Sequence, residues 1–152
     1  MKKAKELSSG GVIFRPVKRG GARDADVALI SVKGGKVWGL PKGLQEDHEN
    51  IARTAHREVK EETGLDGEII ENLGSIKYFY SFKDEEDTTR IFKIVYFFLM
   101  EYTSGDTSDH DDEVDDCRWF PIDEAIGLMK YEDERGILEK AKGHMREMDY
   151  ID

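Results

Sequence analysis

The segment Ile91–Tyr102 has strand composition and is apolar on both of the faces that a strand presents. One face would carry Phe92, Ile94, Tyr96 and Phe98, and the other would carry Ile91, Val95 and Phe97. A strand of this kind lies in the middle of a sheet, because both of its faces must be covered by other elements. The chain is therefore expected to form a sheet with packing elements on both sides.

The remaining segments alternate between strand and helix patterns. Strands are predicted at 10–14, 27–32, 69–70, 76–82 and near 117–120, and helices at about 50–63, 123–129 and 132–148. Gly64 is a natural end for the first helix, and Gly34-Gly35 predicts a turn. The polar stretch 15–26 contains Pro16 and two glycines and is interpreted as a long loop. A charged hairpin tip is predicted at 83–89.

The fold class that follows is α/β, with a mixed central sheet between helices. The 152 residues of the chain are enough to enclose a core without disulfide or metal support. No linker or repeat divides the chain, so residues 1–152 are expected to form a single domain. Cys117 has no cysteine partner and is expected to be a buried structural residue.

The charge and hydropathy of the chain bear on its partners and location. The formal net charge of −10 argues against a protein that coats nucleic acid or anionic membranes. No apolar run approaches the roughly 18 residues of a membrane span, and no apolar signal segment follows the N-terminal lysines. We therefore expect a cytoplasmic protein.

The helix predicted at 50–63 has carboxylates on the side that faces the core. On a helical wheel Glu58 and Glu62 fall inside or beside the apolar stripe, and Glu61 borders it. Carboxylates spaced i, i+3 and i+4 repel one another, and a hard divalent cation such as Mg²⁺ or Mn²⁺ would remove the conflict. The apolar stripe itself consists of Ile51, Ala52, Ala55 and Val59. The alternative to a cation site is an ordinary glutamate-rich helix with lysine partners.

The spacing around this helix is more specific than its composition. Gly43 is followed after five residues by Glu49 and, after seven more, by the nine-residue run that begins at Arg57 and ends at Leu65. This segment matches every fixed position of the signature G-x5-E-x7-R-E-U-x-E-E-x-G-U, in which U is apolar. The chain thus resembles the Nudix hydrolases, and the stretches 10–14, 38–43 and 119–121 look like the usual flanks of their signature. The resemblance implies a Nudix-type α/β/α sandwich.

The resemblance also implies a reaction and a set of metal ligands. Nudix enzymes cleave nucleoside diphosphates linked to a further group, by attack of a metal-activated water on a phosphorus atom. Arg57 and Glu49 would orient the carboxylates, and Arg57 would count among the catalytic residues with the three glutamates of the helix. The implied ligands of Mg²⁺ or Mn²⁺ are Gly43, through its carbonyl, Glu58, Glu61 and Glu62.

A general base is also expected. In many members of the family a glutamate just before the last strand acts as a base or an added ligand, and Glu113 stands at that place. The alternative is a solvated acidic loop, because acidic residues crowd the whole segment 106–116.

Within the family, this chain most resembles the diadenosine polyphosphate hydrolases. The resemblance implies hydrolysis of diadenosine tetraphosphate to ATP and AMP, with Tyr78 or Tyr80 stacked on adenine. The basic residues Lys42, Arg90 and Lys93 would meet the polyphosphate. The alternative is that these rings pack within the sheet and that these cations are solvated.

Several other functions share the same signature. They are a nucleoside triphosphate pyrophosphohydrolase, a diphosphoinositol polyphosphate hydrolase and an RNA 5′-pyrophosphate hydrolase. The basic residues Arg15, Lys18, Arg19 and Arg23 in the predicted loop could serve either of the last two, although a solvated loop is the alternative. A Nudix-like module that binds a nucleotide without cleaving it is the rival from outside the enzymes.

Overall fold

The structure is a computed structural model that describes residues 1–32, 34–35 and 37–152. Strands and helices follow one another in the order expected for a sheet with helices on both sides. The elements are β1 (Lys2–Arg19), β2 (Ala22–Val32), β3 (Val37–Gly39), β4 (Lys42–Leu44), α1 (Ile51–Thr63), β5 (Leu65–Lys83), β6 (Thr88–Gly105), β7 (Asp116–Pro121), α2 (Ile122–Leu128) and α3 (Glu132–Glu147). A short 3₁₀ turn, Thr107–Asp109, interrupts the acidic loop before β7.

The strands form one mixed sheet in the order β3-β2-β1-β6-β5, with β4 paired to β1 and β7 paired to β2. The pair β1–β6 is parallel, whereas the other pairs are antiparallel. The strand β6 lies between β1 and β5, which confirms the central position predicted from its two apolar faces. The mixed α/β fold is confirmed as well.

The core has two layers, one on each face of the sheet. Phe97 and Phe98 are neighbours in β6 and point to opposite faces, since successive side chains of a strand alternate. Phe97 packs with residues of α2 and α3, and Phe98 packs with Ala55 and Val59 of α1. Cys117 is buried in the second layer, as predicted, and burial raises the pKa of its thiol to about 12.

The predicted loop at 15–26 is wrong, because β1 and β2 form a continuous hairpin there. Phe14 pairs with Val27, and the pairing runs up to a turn at Gly20 and Gly21. Both glycines have positive φ angles, 59° and 83°, which suit a two-residue hairpin turn. The glycines signal a tight turn rather than a long loop.

Charge pairs across the two strands explain why hydrophobic patterning missed this hairpin. Asp26 is buried and accepts hydrogen bonds from Arg15 Nε, at 3.2 Å, and from Arg19 Nη2. Arg19 Nη1 also donates to Asp24 Oδ2 at 2.8 Å. We call these four residues the hairpin cluster. Its side chains replace apolar contacts as the cross-strand pairs that stabilise a sheet.

The region after α1 also differs from its prediction. The two strands predicted at 69–70 and 76–82 are parts of the single strand β5, which pairs with β6 along its whole length. The register shifts at three places, between 66 and 67, 69 and 71, and 72 and 74. Gly74, at the last of these irregularities, has a φ of 96°. These bulges interrupt the alternation of side chains and divide one strand into two apparent ones.

The helices lie where the sequence predicts them, within one or two residues. The side chain of Asn50 caps α1 by accepting a hydrogen bond from the Arg53 N–H at 2.9 Å. Gly64 ends the helix in the left-handed conformation, with its N–H bonded to the Lys60 carbonyl. Among the described residues, no helix combines the length and the apolar character needed to cross a membrane.

Candidate active site and substrate groove

Two carboxyl groups of α1 lie against β4, that of Glu58 beside Gly43 and that of Glu62 beside the Lys42 N–H. The side chain of Glu58 is 14% exposed, that of Glu61 is 49% exposed, and Glu62 is half-buried. The wheel therefore places Glu58 and Glu62 correctly beside the core and Glu61 at the border. Carboxylates at a core-facing position are costly to bury unless a partner compensates their charge.

Arg57 is the principal cationic partner of this group. Its Nε and Nη2 donate to the two carboxylate oxygens of Glu49, at 2.7 and 2.9 Å. Its Nη1 donates to Glu58 Oε1 at 2.8 Å, and its Nη2 also reaches the Leu44 carbonyl at 2.9 Å. We call Arg57, Glu49 and Glu58 the Arg57 cluster. A planar guanidinium with several donors can make these contacts together, whereas an ammonium cannot.

Within this cluster the two carboxyl groups have opposite pKa shifts. The hydrogen bond from Arg57 is the largest of the effects that lower the pKa of Glu49 to about 2. Burial raises the pKa of Glu58, although the hydrogen bond from Arg57 opposes that effect. The negative charges of Glu61 and Asp111 raise the Glu58 pKa further. The single arginine thus compensates Glu49 but not Glu58.

Glu62 is the most strongly perturbed carboxyl group of α1. Its Oε1 accepts a hydrogen bond from the Lys42 N–H at 2.6 Å. Burial nevertheless raises its pKa to about 8, and the charges of Glu58 and Asp111 contribute in the same direction. The surrounding protein therefore does not compensate a negative charge on the Glu62 carboxyl group.

Gly43 lies against the carboxylate of Glu58. A Cβ at position 43 would collide with all three heavy atoms of that carboxylate, so a glycine is required for the close approach. Gly43 pairs with Ser9 in the register of β4 and β1, which fixes its backbone next to the helix. The sequence-predicted residues Gly43, Glu58 and Glu62 are thus brought to one place.

The donors at this place suit a hard cation in their chemistry. Within the described ranges, no group of three or more His, Cys, Asp or Glu side chains is arranged so that it could hold a metal ion. However, oxygen donors are what Mg²⁺ and Mn²⁺ prefer, and burial, together with repulsion from neighbouring carboxylates, raises the pKa of Glu58 and Glu62. A divalent cation would remove that repulsion. The residues fit a cation, provided that the carboxylates turn toward it.

A groove extends from Glu62 to Tyr78. Its first part is a cavity of about 260 Å³, the Trp38 cavity, and its second part is a cavity of about 410 Å³, the Tyr78 cavity. Both are lined by Lys42, Tyr131 and Glu134, so the two cavities adjoin. The Trp38 cavity also reaches Glu62. The groove therefore has Glu62 and Trp38 in one cavity and Tyr78 in the other, with Lys42 between them.

Of the five predicted substrate residues, two line this groove. Lys42 and Tyr78 line it, and Lys93 lies opposite Tyr78 in the β5–β6 register. Burial lowers the pKa of Lys93 below its ordinary value. The Tyr80 ring lies 6.4 Å from that of Tyr78, and its hydroxyl donates to Glu6. That bond is the largest of the effects that raise the Tyr80 pKa to about 12.

Arg90 does not join the other predicted substrate residues. Its guanidinium lies 4.5 Å from the centre of the Phe79 ring, in a separate cavity that Phe92 also lines. Neighbouring side chains of β5 point to opposite faces of the sheet, so Phe79 and Arg90 lie on the face opposite Tyr78. The expectation that Arg90 meets the same polyphosphate as Lys42 is not supported by this placement.

The acidic loop before β7 presents a different residue from the predicted one. Glu113 is exposed, and its backbone N–H donates to the Asp111 carboxylate at 3.1 Å. The Asp111 N–H in turn donates to the carbonyl of Glu61 at 2.9 Å. Asp111 is also the loop residue whose charge raises the pKa of Glu58 and Glu62. In this structure Asp111 is therefore the loop carboxylate associated with α1.

The groove residues that sequence reasoning missed include Trp38, Tyr131 and Glu134. Glu134 is 8% exposed and occupies the buried stripe of α3. A glutamate in an apolar stripe is the same signal that singled out Glu58 and Glu62, so Glu134 could have been found in this way. Tyr131, the residue that precedes α3, carries no comparable signal.

Comparison with known proteins places these observations in a family context. The sequence matches the family model described as NUDIX domain over residues 18–141. A putative mutator protein MutT4 of Mycobacterium tuberculosis is 38% identical over 145 residues, which cover 93% of this chain and 56% of that protein. An 8-oxo-(d)GTP phosphatase of Mycolicibacterium smegmatis is 30% identical over 138 residues, which cover 88% of this chain and 40% of that protein. The chain thus spans about half the length of these curated relatives.

Solved structures with low sequence identity have the same fold. The Ap4A hydrolase of C. elegans, in a binary complex, has a TM-score of 0.65 and 20% identity, and the alignment covers 93% of this chain and 98% of that one. The NUDIX domain of Shewanella oneidensis NrtR, complexed with ADP ribose, has a TM-score of 0.64 and 21% identity, with coverages of 93% and 88%. At these identities the likeness concerns the fold alone.

Proposed function

The chain belongs to the Nudix family, and from that premise we propose that it hydrolyses a pyrophosphate bond of a nucleoside polyphosphate. Members of the family act on phosphoric anhydride bonds and generally use divalent cations such as Mg²⁺. The observation that carries the proposal is the groove that joins Glu62, Lys42 and the aromatic pair Tyr78 and Tyr131. These groups suit a cation, a phosphate chain and a nucleobase in that order.

Glu58, Glu61, Glu62 and the Gly43 carbonyl would hold the cation, Mg²⁺ or Mn²⁺. When bound, it supplies two things that displacement at phosphorus requires, neutralisation of phosphate charge and a lower pKa for the attacking water. Arg57 holds Glu58 in position through the 2.8 Å hydrogen bond and is itself fixed by Glu49. Arg57 is therefore proposed as a positioning residue.

Two further roles remain, binding of the phosphate chain and acceptance of a proton. Lys42 lies at the junction of the two cavities, where its ammonium can pair with a phosphate oxygen. A loop carboxylate would accept the proton of the attacking water. Of the two candidates, Asp111 is supported by its proximity to α1, whereas the exposed Glu113 has no such support.

The substrate that we propose first is a nucleoside triphosphate. The relative named as an 8-oxo-(d)GTP phosphatase supports this class, and the Tyr78 cavity offers a place for a nucleobase beside Lys42. A dinucleoside polyphosphate, most simply diadenosine tetraphosphate cleaved to ATP and AMP, is the second candidate. The Tyr78 and Tyr80 rings favour it, because they extend the exposed aromatic surface beyond the groove. We further propose that residues 1–152 act as one domain, since both core layers share one sheet.

The test is incubation of the full chain and its Glu62→Gln variant with Mg²⁺ and a panel of nucleotides. The panel contains nucleoside triphosphates, diadenosine tetraphosphate, ADP-ribose and a diphosphoinositol, and anion-exchange chromatography resolves the products. We expect a nucleoside monophosphate and pyrophosphate from a triphosphate, or ATP and AMP from the tetraphosphate, with both reactions lost in the variant. Binding without product formation from any member of the panel would contradict hydrolysis and favour a nucleotide-binding module.

A further inference from the structure

The Tyr78 cavity has the composition of a site for a flat ring with polar edges. Its apolar wall is formed by Ile76 and the rings of Tyr78 and Tyr131. The two tyrosines are 36% and 49% exposed, so their ring surfaces are not consumed by packing within the protein. Exposed aromatic rings that border a cavity bind nucleobases by stacking.

One wall of this cavity carries a buried carboxylate. Glu134 is 8% exposed, and its Oε1 accepts a hydrogen bond from the Leu40 N–H at 2.8 Å. Among the described residues this is the one hydrogen bond of the Glu134 side chain, and that side chain forms no ion pair with any of them. Glu134 lines both cavities of the groove, and the exposed Asp133 precedes it in the chain. It can therefore accept further hydrogen bonds from a ligand.

The chemistry of a carboxylate distinguishes between purine bases. An ionised carboxylate only accepts hydrogen bonds. The Watson–Crick edge of guanine presents two adjacent donors, the N1–H and the 2-amino group, whereas that of adenine presents one donor beside the N1 acceptor. A carboxylate at this edge would bond to guanine and repel the lone pair of adenine N1. The cavity is thus complementary to the guanine edge.

We propose that the Tyr78 cavity is a nucleobase subsite and that Glu134 makes it selective for guanine-type bases. The inference rests on the proposed function, because it assumes that a nucleotide lies in the groove with its phosphates toward Lys42 and Glu62. Tyr131 contributes stacking, which does not discriminate among purines. Glu134 contributes the discrimination, because a site that pairs with a substrate group rejects analogues that lack it.

The test compares the binding of GMP and AMP to the full chain by isothermal titration calorimetry, in the presence of Mg²⁺. We expect GMP to bind about tenfold more tightly, as a paired hydrogen-bonded base contact provides. The Glu134→Gln variant keeps an acceptor for the Leu40 N–H but presents a donor to the base, so the preference should disappear or reverse. The Glu139→Gln variant removes the same charge from an exposed position of α3 and should keep the tenfold preference.

A second variant separates stacking from edge recognition. Tyr131→Ala should weaken the binding of GMP and of AMP by the same factor, so the ratio of the two affinities stays unchanged. The residue is exposed, so the substitution does not disturb the core. Equal affinities of the wild-type protein for GMP and AMP would overturn the inference, as would an unchanged preference in Glu134→Gln. The titrations measure binding. Their result can therefore be interpreted even if no nucleotide of the panel is hydrolysed.

Discussion

Two groups of arginines and carboxylates in this molecule share the same chemistry but differ in charge balance. In the hairpin cluster two guanidinium groups face two carboxylates on neighbouring strands. In the Arg57 cluster one guanidinium contacts two glutamates closely, with Glu61 at 3.4 Å, and Glu62 lies nearby. The first group is neutral as a whole, whereas the second has an excess of negative charge.

This difference shows that ion pairs alone do not mark a functional site. The hairpin cluster completes a strand pairing and leaves no charge for a ligand. Burial, together with neighbouring carboxylates, raises the pKa of Glu58 and Glu62, and such a cost is tolerated where function requires it. Buried carboxyl groups whose ionised form the protein does not compensate therefore mark the place where a cation is expected.

The largest expected effect is that of Glu62→Gln. Removal of a proposed ligand should reduce hydrolysis by about 100-fold or more, since even residues that only support a ligand cost 10–100-fold. The same change should raise the thermal midpoint in EDTA, because it removes a buried carboxylate, with about 2–4 °C expected for each kcal/mol recovered. Steady-state rates and thermal denaturation check the two effects. A variant that is both inactive and less stable would show that Glu62 is structural.

Arg57→Lys should have the next largest effect. A lysine cannot bond to Glu49, Glu58 and the Leu44 carbonyl together, so Glu58 would lose its fixed position. We expect kcat/KM to fall by about 10–100-fold, with no change in the identity of the products. Wild-type kinetics for Arg57→Lys would mean that the guanidinium fork does not position the site.

The pH dependence of stability should depend on Glu62. The Glu62 pKa rises from 4.5 to about 8 on folding, so the folded state binds more protons than the unfolded state between these values. Its contribution to stability is present below pH 4.5 and is lost as the pH rises through about 8. In EDTA the free energy of unfolding should therefore fall across this window, by at most about 1.4 kcal/mol per pH unit from this group. Urea denaturation of the wild-type protein and Glu62→Gln checks this, and identical slopes would contradict it.

The smallest expected effect is that of Arg19→Ala in the hairpin cluster. Arg19 is 42% exposed in its side chain, and Asp26 keeps Arg15 as a partner after the substitution. We expect a loss of about 1 kcal/mol or less in the free energy of unfolding, and no change in hydrolysis. Chemical denaturation and steady-state kinetics measure these effects. A large loss of activity would revive the interpretation of the hairpin as a phosphate-binding surface.

The elements predicted well from the sequence are those with a strong internal period. The helix α1 shows its apolar stripe, its Asn50 cap and its Gly64 stop in consecutive residues. The central strand β6 shows two apolar faces in the same way. The β1–β2 hairpin was missed because its stability comes from charge pairs between strands, which are invisible in either strand alone.

In the candidate site, too, the residues with a local pattern could be predicted and the others could not. Glu58 and Glu62 are visible as carboxylates in an apolar stripe, and the signature spacing around them is local. The groove depends on contacts between distant segments, such as that between Glu134 and Leu40, and no pattern within one segment reveals them. The prediction grouped Arg90 with Lys93, but the two residues are three apart in β6. Residues an odd number apart on a regular strand point to opposite faces of the sheet.

The most direct test of the account is whether the uncompensated carboxylates of α1 hold a divalent cation. Mn²⁺ binding to the full chain can be measured from the loss of the free-ion electron paramagnetic resonance signal, with Glu62→Gln and the exposed control Glu139→Gln titrated in parallel. The account predicts that the wild-type protein and Glu139→Gln bind Mn²⁺ alike and that Glu62→Gln binds it at least tenfold more weakly. Equal Mn²⁺ binding by all three proteins would contradict it.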